Sequence, residues 1–446
     1  MGSSLPSNVE DEVLGLPRTT PLYYEYPYLR EFESGVLRVV SFGENCYVVL
    51  EQTCFFPEGG GQLGDVGLLI GSSGKLRVVD TQAVDEVIVH VAVPVYGEVK
   101  EGESVRGSID WNVRYDRMRQ HTGSHVLFSA IKQVLGLEEL IYMGVQIKED
   151  LSRIDISYGK PISPDQLREI EGLSNRVCLQ NRKVKTWFTT RDEAERTYGK
   201  RLGITEVTPF GTVRVVEVEE WDVALCCGTH VSSTAEIGLV KVLERFRLQK
   251  GVERIEFTTG ERAYRYYEDS MQKLSELAQQ LRSPTEEIIS RVDLLLKERE
   301  HLKEELEKVR NQLVEAQALE LLSEAESFGE FRLLKKELPE VDAQSLKRMA
   351  ATLTNKDPYL IVILGSAVEK ACIIGAAGQK TVEKGVNMAE TIKEAAKVIQ
   401  GGGGGTAKIA QAGGRDPSQL GKALRQYVDD VTARLKALHQ QHESNH

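Results

Sequence analysis

Apolar positions along this chain change rhythm three times, and the changes divide it into four stretches. From Tyr23 to about Val105 short β-type runs, Val36–Phe42, Cys46–Leu50, Lys75–Asp80 and Glu86–Val91, are separated by turns carrying glycine. Such close spacing predicts a small β-barrel over residues 1–105. Between 106 and 260 the period lengthens. Asp116–Leu135 reads as a helix, with Leu127, Ala130, Ile131 and Val134 on one stripe and Gly136 placed to end it. Strand-like segments follow near Val145 and Ile154. Ser163, Pro164 and Gln166 then open a second helix running to about Asn181. Val184–Thr189, Thr212–Val218, Ile237–Glu244 and Arg254–Thr259 read as strands, which makes this stretch an α/β domain.

Residues 261–328 are helical and highly charged. Leu295, Leu302, Leu306, Val309, Leu313 and Ala316 keep a coiled-coil rhythm, interrupted at Arg299, and Ser283-Pro284 marks a break. That stripe needs a partner, either an intramolecular hairpin or the seam of a homodimer. Residues 329–446 alternate helix and strand: Tyr359–Leu364 and Lys370–Ile374 are apolar strands, Met388–Ile399 is an amphipathic helix, and a last helix starts at Ser418. Between them lie five glycines, Gly401, Gly402, Gly403, Gly404 and Gly405, and then Ala412-Gly413-Gly414-Arg415. By composition the run is a flexible linker; as bare amides ahead of a helix it suits phosphate contact. The expected fold class is α+β.

A chain of 446 residues has room for two to four such domains. Its 41% hydrophobic and 28% charged content is ordinary for a globular protein, and no apolar run reaches the ~20 residues of a membrane helix. The N-terminus has no signal-peptide pattern, so a cytoplasmic location is expected, without a membrane partner. Six cysteines, two of them adjacent, do not form a disulfide framework and leave thiols available to a metal. The net charge of −11 argues against indiscriminate nucleic-acid binding. An RNA partner would have to meet local basic clusters, Arg182, Lys183, Lys185 and Arg191 or Lys241, Arg245, Arg247, Lys250 and Arg254, unless these are simply solvated surface.

The chemistry concentrates in two short runs. Of eight histidines, three fall in the tail as His439, His442 and His446, where solvation is expected. Three more belong to His121-Thr-Gly-Ser-His125 and Cys226-Cys227-Gly-Thr-His230. On a helix His121 and His125 share one face, one turn apart. Cys226 and His230 fall on a turn after a strand, with Gly228 supplying backbone freedom. Each pair alone is also compatible with ordinary polar helix positions and a small core cysteine. Together they form the imidazole and thiolate set that zinc prefers. Four protein ligands would leave little open coordination; three and a water would leave a reactive position. There is no HExxH, no GxxxxGK[ST] and no GxGxxG in the right strand–helix setting.

HxxxH followed about a hundred positions later by CxxxH resembles the editing domain of alanyl-tRNA synthetases and the free-standing AlaX alanyl-tRNA editing proteins. Phe56-Pro57-Glu58-Gly59-Gly60-Gly61-Gln62, the long helical region and the glycine-rich C-terminus match as well, so the resemblance covers nearly the whole chain and is closest to the long AlaX form. It implies zinc held by His121, His125, Cys226 and His230. Gln62 would offer an amide donor and acceptor to the substrate, and the glycine run with Arg415 would help to hold tRNA. The family's motif is CGGTH, which aligns its cysteine with Cys226 and leaves Cys227 as a competitor for the ligand role. Because the chain starts at the barrel, without an activation domain ahead of it, the resemblance implies editing without charging: hydrolysis of serine, or glycine, from wrongly charged tRNA(Ala). Two other classes remain, a threonyl-type editing domain or other zinc hydrolase, and a non-enzymatic RNA-binding protein with structural zinc.

Overall fold

Six strands and one long helix set the position of the candidate site. The computed structural model describes residues 5–137, 140–148, 151–204, 212–368 and 370–443. It divides into two compact units, Met1–Glu276 and Leu277–His446.

In the first unit β1 (Glu31–Phe42), β2 (Asn45–Leu50), β3 (Gly67–Ile70), β4 (Gly74–Val84), β5 (Val87–Gly97) and β6 (Ser104–Ile109) close a barrel in the order β1-β2-β5-β4-β3-β6. Alternate residues point inward, and Val36, Val48, Leu50, Leu69, Leu76 and Val78 fill the interior around Phe32 and Phe55. His90 of β5 is fully buried, its Nδ1 2.9 Å from the Val48 carbonyl and its Nε2 2.9 Å from the Thr53 hydroxyl.

Helix α1 (Trp111–Val134) begins earlier than the apolar period alone predicts, at Trp111 instead of Asp116. Asp110 is the reason: its carboxylate accepts from the Asn112 and Val113 amides and caps the first turn. Met118, Val126, Leu127 and Ile131 sink into a core with Ile154, Ile156, Ile170, Val177, Ile255 and Phe257. Around the helix lie β7 (Tyr142–Gln146), β8 (Ser152–Ser157), α2 (Pro164–Leu179), β9 (Val184–Thr190), β10 (Leu202–Ile204), β11 (Thr212–Val218), β12 (Asp222–Leu225), β13 (Val240–Gln249) and β14 (Val252–Thr259). They form two four-stranded sheets, β13-β14-β8-β7 and β9-β11-β12-β10. The Ser163–Gln166 capping box expected for α2 is present. Predicted strand Ile237–Glu244 starts later, at Val240, because Thr234–Ile237 forms a 3-10 turn.

The predicted helical stretch is two helices, α3 (Gly260–Leu281) and α4 (Ile288–Leu322), broken where Arg282 takes φ 50° before Ser283-Pro284. Along α4 the predicted stripe is exposed among the described residues at Leu295, Leu302, Leu306, Val309 and Leu313.

The second unit is built on β15 (Glu326–Phe328), β16 (Phe331–Glu337), α5 (Ala343–Lys356), β17 (Leu360–Ser366), β18 (Ala371–Ala377), α6 (Met388–Val398), β19 (Gly401–Gly405), β20 (Ile409–Gly414) and α7 (Leu420–Glu443). The sheet order is β15-β16-β17-β18-β20-β19. Helix α5 and the end of α4 cover one face, through Met349, Leu353, Val314 and Ala318; α6 and α7 cover the other, through Ile392, Ala396, Leu424 and Tyr427. The five glycines are neither a linker nor a helix approach. They are an edge strand, every residue of which is exposed. On one face a Cβ at Gly403 would crowd Ala412 and Ala396; on the other, Gly402, Gly404 and Gly413 open onto space. Arg415 follows β20 and is exposed. His446 lies outside the described residues.

Candidate metal centre

The loop between β2 and β3 and the helix α1 are tied before any site chemistry begins. Arg114, fully buried, pairs with Asp65; its Nε lies 2.8 Å from Asp65 Oδ2, and its Nη2 donates to the Cys54 carbonyl at 2.6 Å. The same carboxylate accepts from the Phe56 amide at 2.7 Å. Arg117 adds a bond to the Gly64 carbonyl at 2.6 Å. Within the loop Gly59 and Gln62 pair through both amides, and Ile147 donates to the Gly61 carbonyl at 2.7 Å. A side chain on Gly61, at φ 76°, would meet the backbone of Val145. These contacts set Gln62 above the third turn of α1.

One helical turn apart, His121 and His125 point at the turn after β12. There Cys226 Sγ lies 3.2 Å from His121 Nε2 and 3.4 Å from His230 Nε2. One donor atom from each of His121, His125, Cys226 and His230 fits within 4.8 Å of all the others, and all four residues are buried. A tetrahedral zinc with its usual bond lengths puts neighbouring donors about 3.3–3.6 Å apart, close to the observed sulfur–nitrogen spacings. Gly228 permits the approach, since a Cβ there would run into the His121 ring.

Each imidazole is held from behind. His125 Nδ1 faces Asp222 Oδ2 at 2.8 Å, and Ser129 donates to the other oxygen at 2.6 Å. His121 Nδ1 faces Gln62 Oε1 at 2.9 Å, an oxygen that also accepts the Thr229 amide at 3.1 Å. His230 Nδ1 faces the Thr122 hydroxyl at 3.1 Å; that hydroxyl spends its own hydrogen on the Met118 carbonyl, so it receives one from the ring. All three rings therefore carry hydrogen on Nδ1 and turn Nε2 inward, as metal-binding histidines do.

The charges agree with that function. Burial favours a neutral Cys226 thiol, but the adjacent His121 and His230 rings outweigh it and hold the thiol well below its usual range. Burial likewise holds His230 well below an ordinary histidine. Burial opposes protonation of His125, yet Asp222 and Cys226 reverse the balance and push it up to about 10. A buried thiolate beside a buried carboxylate calls for a positive charge between them. The donor set thus fits a divalent cation.

Cys227 is not one of the four donors; its sulfur lies 3.9 Å from where a Cβ on Gly59 would stand. Arg214 of β11 holds the turn itself, donating to the carbonyls of Cys226 at 3.0 Å and Gly228 at 2.7 Å. Asp222, Thr122 and Arg214 gave no signal in the sequence, because each acts on a residue remote along the chain or through backbone. Gln62 sits differently from the expectation of an amide turned to a substrate: it is fully buried, its oxygen taken twice and its Nε2 donating to the Thr229 hydroxyl at 2.8 Å.

The two basic clusters are largely neutralised. Lys185 pairs with Glu219, Arg191 with Glu195, Lys241 with Glu171, Arg245 and Arg247 with Glu253, and Arg254 with Asp155. Arg182 donates to the carbonyls of Glu219 and Glu220. No helix among the described residues is long and apolar enough to cross a membrane.

Three family models match this chain. "tRNA synthetases class II (A)" covers residues 24–113, "Threonyl and Alanyl tRNA synthetase second additional domain" covers 213–256, and "DHHA1 domain" covers 332–433. The alanine–tRNA ligase of Pyrococcus abyssi is 38% identical over 416 residues, 93% of this chain and 44% of that protein. That of Methanosarcina barkeri is 36% identical over 428 residues, 96% of this chain and 46% of its own length. The chain thus spans just under half the length of these relatives. The solved C-Ala domain of Aquifex aeolicus alanyl-tRNA synthetase is 29% identical, covering 24% of this chain and 97% of that one, with a TM-score of 0.23.

Proposed function

The chain is built of alanyl-tRNA-synthetase-related domains, and from that premise we propose that it is an aminoacyl-tRNA deacylase of the AlaX type that removes serine, or glycine, from wrongly charged tRNA(Ala). The observation that carries the reading is the inward convergence of four buried donors, His121, His125, Cys226 and His230. The metal is zinc, by the softness of one thiolate and three imidazoles. When bound, zinc supplies Lewis acidity to the ester carbonyl or to a water. The protein's own residues do the positioning: Gln62, Asp222 and Thr122 fix the three imidazoles, and Arg214 fixes the turn that carries Cys226 and His230. Gln62 thereby acts on the substrate through His121. In the second unit the open face of Gly402, Gly404 and Gly413, with Arg415 beside it, offers backbone and one cation to the tRNA.

Discrimination follows from polarity. A pocket cannot reject alanine by size, but one that hydrogen-bonds a hydroxyl prefers serine by a large factor. The test is deacylation of Ser-, Gly- and Ala-tRNA(Ala) by purified protein. Serine is expected to leave far faster than alanine; equal rates would overturn the reading. The matched model names threonyl as well as alanyl synthetases, so Ser-tRNA(Thr) belongs in the same assay.

A second reading has its own support. Four protein donors make a closed set, the hallmark of structural zinc, which would suit an RNA-binding protein without catalysis. Chelation that stops deacylation while circular dichroism stays unchanged favours the enzyme; chelation that unfolds the first unit favours the structural site.

A further inference from the structure

Beside the metal turn an aromatic ladder climbs to the surface. In β9 Phe188 lies directly across from Arg214 of β11, so the two side chains share a face of the sheet. Arg214 is buried, bonded to the carbonyls of Cys226 and Gly228, and its guanidinium carbon lies 5.1 Å from the centre of the Tyr24 ring. Tyr24 in turn meets Phe188 edge to face, 5.3 Å between centroids. The top rung is open: Phe188 is 53% exposed.

A half-exposed phenylalanine forfeits part of its burial. What distinguishes this one is continuity with the metal turn through a single arginine. Ring faces of this type take stacked nucleobases, and do so without reading sequence. The substrate of the proposed reaction carries a base one ribose away from its scissile ester. Phe188 stands one aromatic ring beyond the arginine that bonds the Cys226 carbonyl.

We propose that Phe188, backed by Tyr24, is the stacking platform for the terminal adenine of the aminoacyl-tRNA, and that it orients the 3′ ester toward the metal cluster. This rests on the deacylase reading and adds to it a binding residue for the nucleoside. A neighbouring protein or a second chain would also cover an exposed ring, but neither explains its coupling to the metal turn.

The test uses the whole chain loaded with zinc and a probe that cannot be hydrolysed, adenosine 5′-monophosphate bearing a 3′-serylamino group, beside the same probe with the base removed. Calorimetry should show the base-bearing probe binding more tightly to the unaltered protein. Phe188→Ala should weaken that binding about tenfold or more, as loss of one stacked base does. Phe188→Trp should restore it, and the abasic probe should not distinguish the variants. Zinc content must stay at one ion per chain throughout. Equal binding of the two probes to the unaltered protein, no binding of either, or a Phe188→Ala variant that binds as before would each overturn the platform. Deacylation of charged tRNA is measured in parallel. Active protein with an indifferent Phe188→Ala variant sinks this inference alone, whereas unaltered protein that releases no amino acid sinks the deacylase reading.

Discussion

The metal cluster and the five-glycine strand are built on opposite principles. At the cluster the Nδ1 of every imidazole has an assigned neighbour and the four candidate ligand side chains are buried. At Gly401–Gly405 there are no side chains and the whole strand is exposed. One region holds a few atoms still, and the other leaves room. The first arrangement is disturbed when any member is removed. The second is disturbed only when something is added on the crowded face.

The largest effect should come from the ligand itself. Cys226→Ala is expected to lose bound zinc and to drop deacylation by at least ~100-fold, since even outer-shell partners of a metal carry 10–100-fold. Cys227→Ala should keep its zinc. Metal analysis of both proteins checks this, and retained zinc in the Cys226 variant would move the ligand role next door. Arg114→Met comes next. It leaves Asp65 as a buried charge without its partner and should cost about 3–5 kcal/mol in urea unfolding of the first unit. Full stability in that variant would show that the loop is held some other way.

A comparable cost attaches to acid. Burial holds His90 down at about 4, against the modest opposing pull of the Val48 carbonyl. Its neutral form is therefore favoured in the folded state. The stabilisation is complete above the unfolded value of 6.5 and fades as pH falls from there toward 4, by about 3 kcal/mol in all. His90→Gln should flatten that part of the stability–pH curve. Asp222→Asn should preserve the fold but loosen zinc about 10–100-fold, read with a competing chelator. Smallest of all is the pair that tests the strand. Gly401→Ala drives a Cβ into the Gly413 carbonyl and should cost about 1–3 kcal/mol. Gly402→Ala meets nothing and should change stability by less than ~1 kcal/mol. Equal costs would mean that the strand's two faces are alike after all.

The contrast also explains what could be read from the chain. His121, His125, Cys226 and His230 were legible because each pair is local, one helical turn or one tight bend. The barrel and the α/β layout followed from apolar period. Asp222, Thr122 and Arg214 were hidden, because their partners lie elsewhere in sequence and no spacing advertises them. Helix α1 began earlier than its apolar stripe because Asp110, a capping residue, is invisible to periodicity. The glycine strand was illegible for a simpler reason. A β-strand announces itself by alternating side chains, and five glycines have none to alternate.

The clasp between Arg114 and Asp65 has a practical corollary for anyone wishing to trim this molecule to a minimal fragment. Cutting at the start of α1 would spare all four candidate ligands, yet it would discard the loop that suspends Gln62 over His121. The imidazole would then be free to spin, and either nitrogen could face a bound cation. The barrel is part of the instrument, and an excised helix-and-turn module would inherit the ligands without their aim.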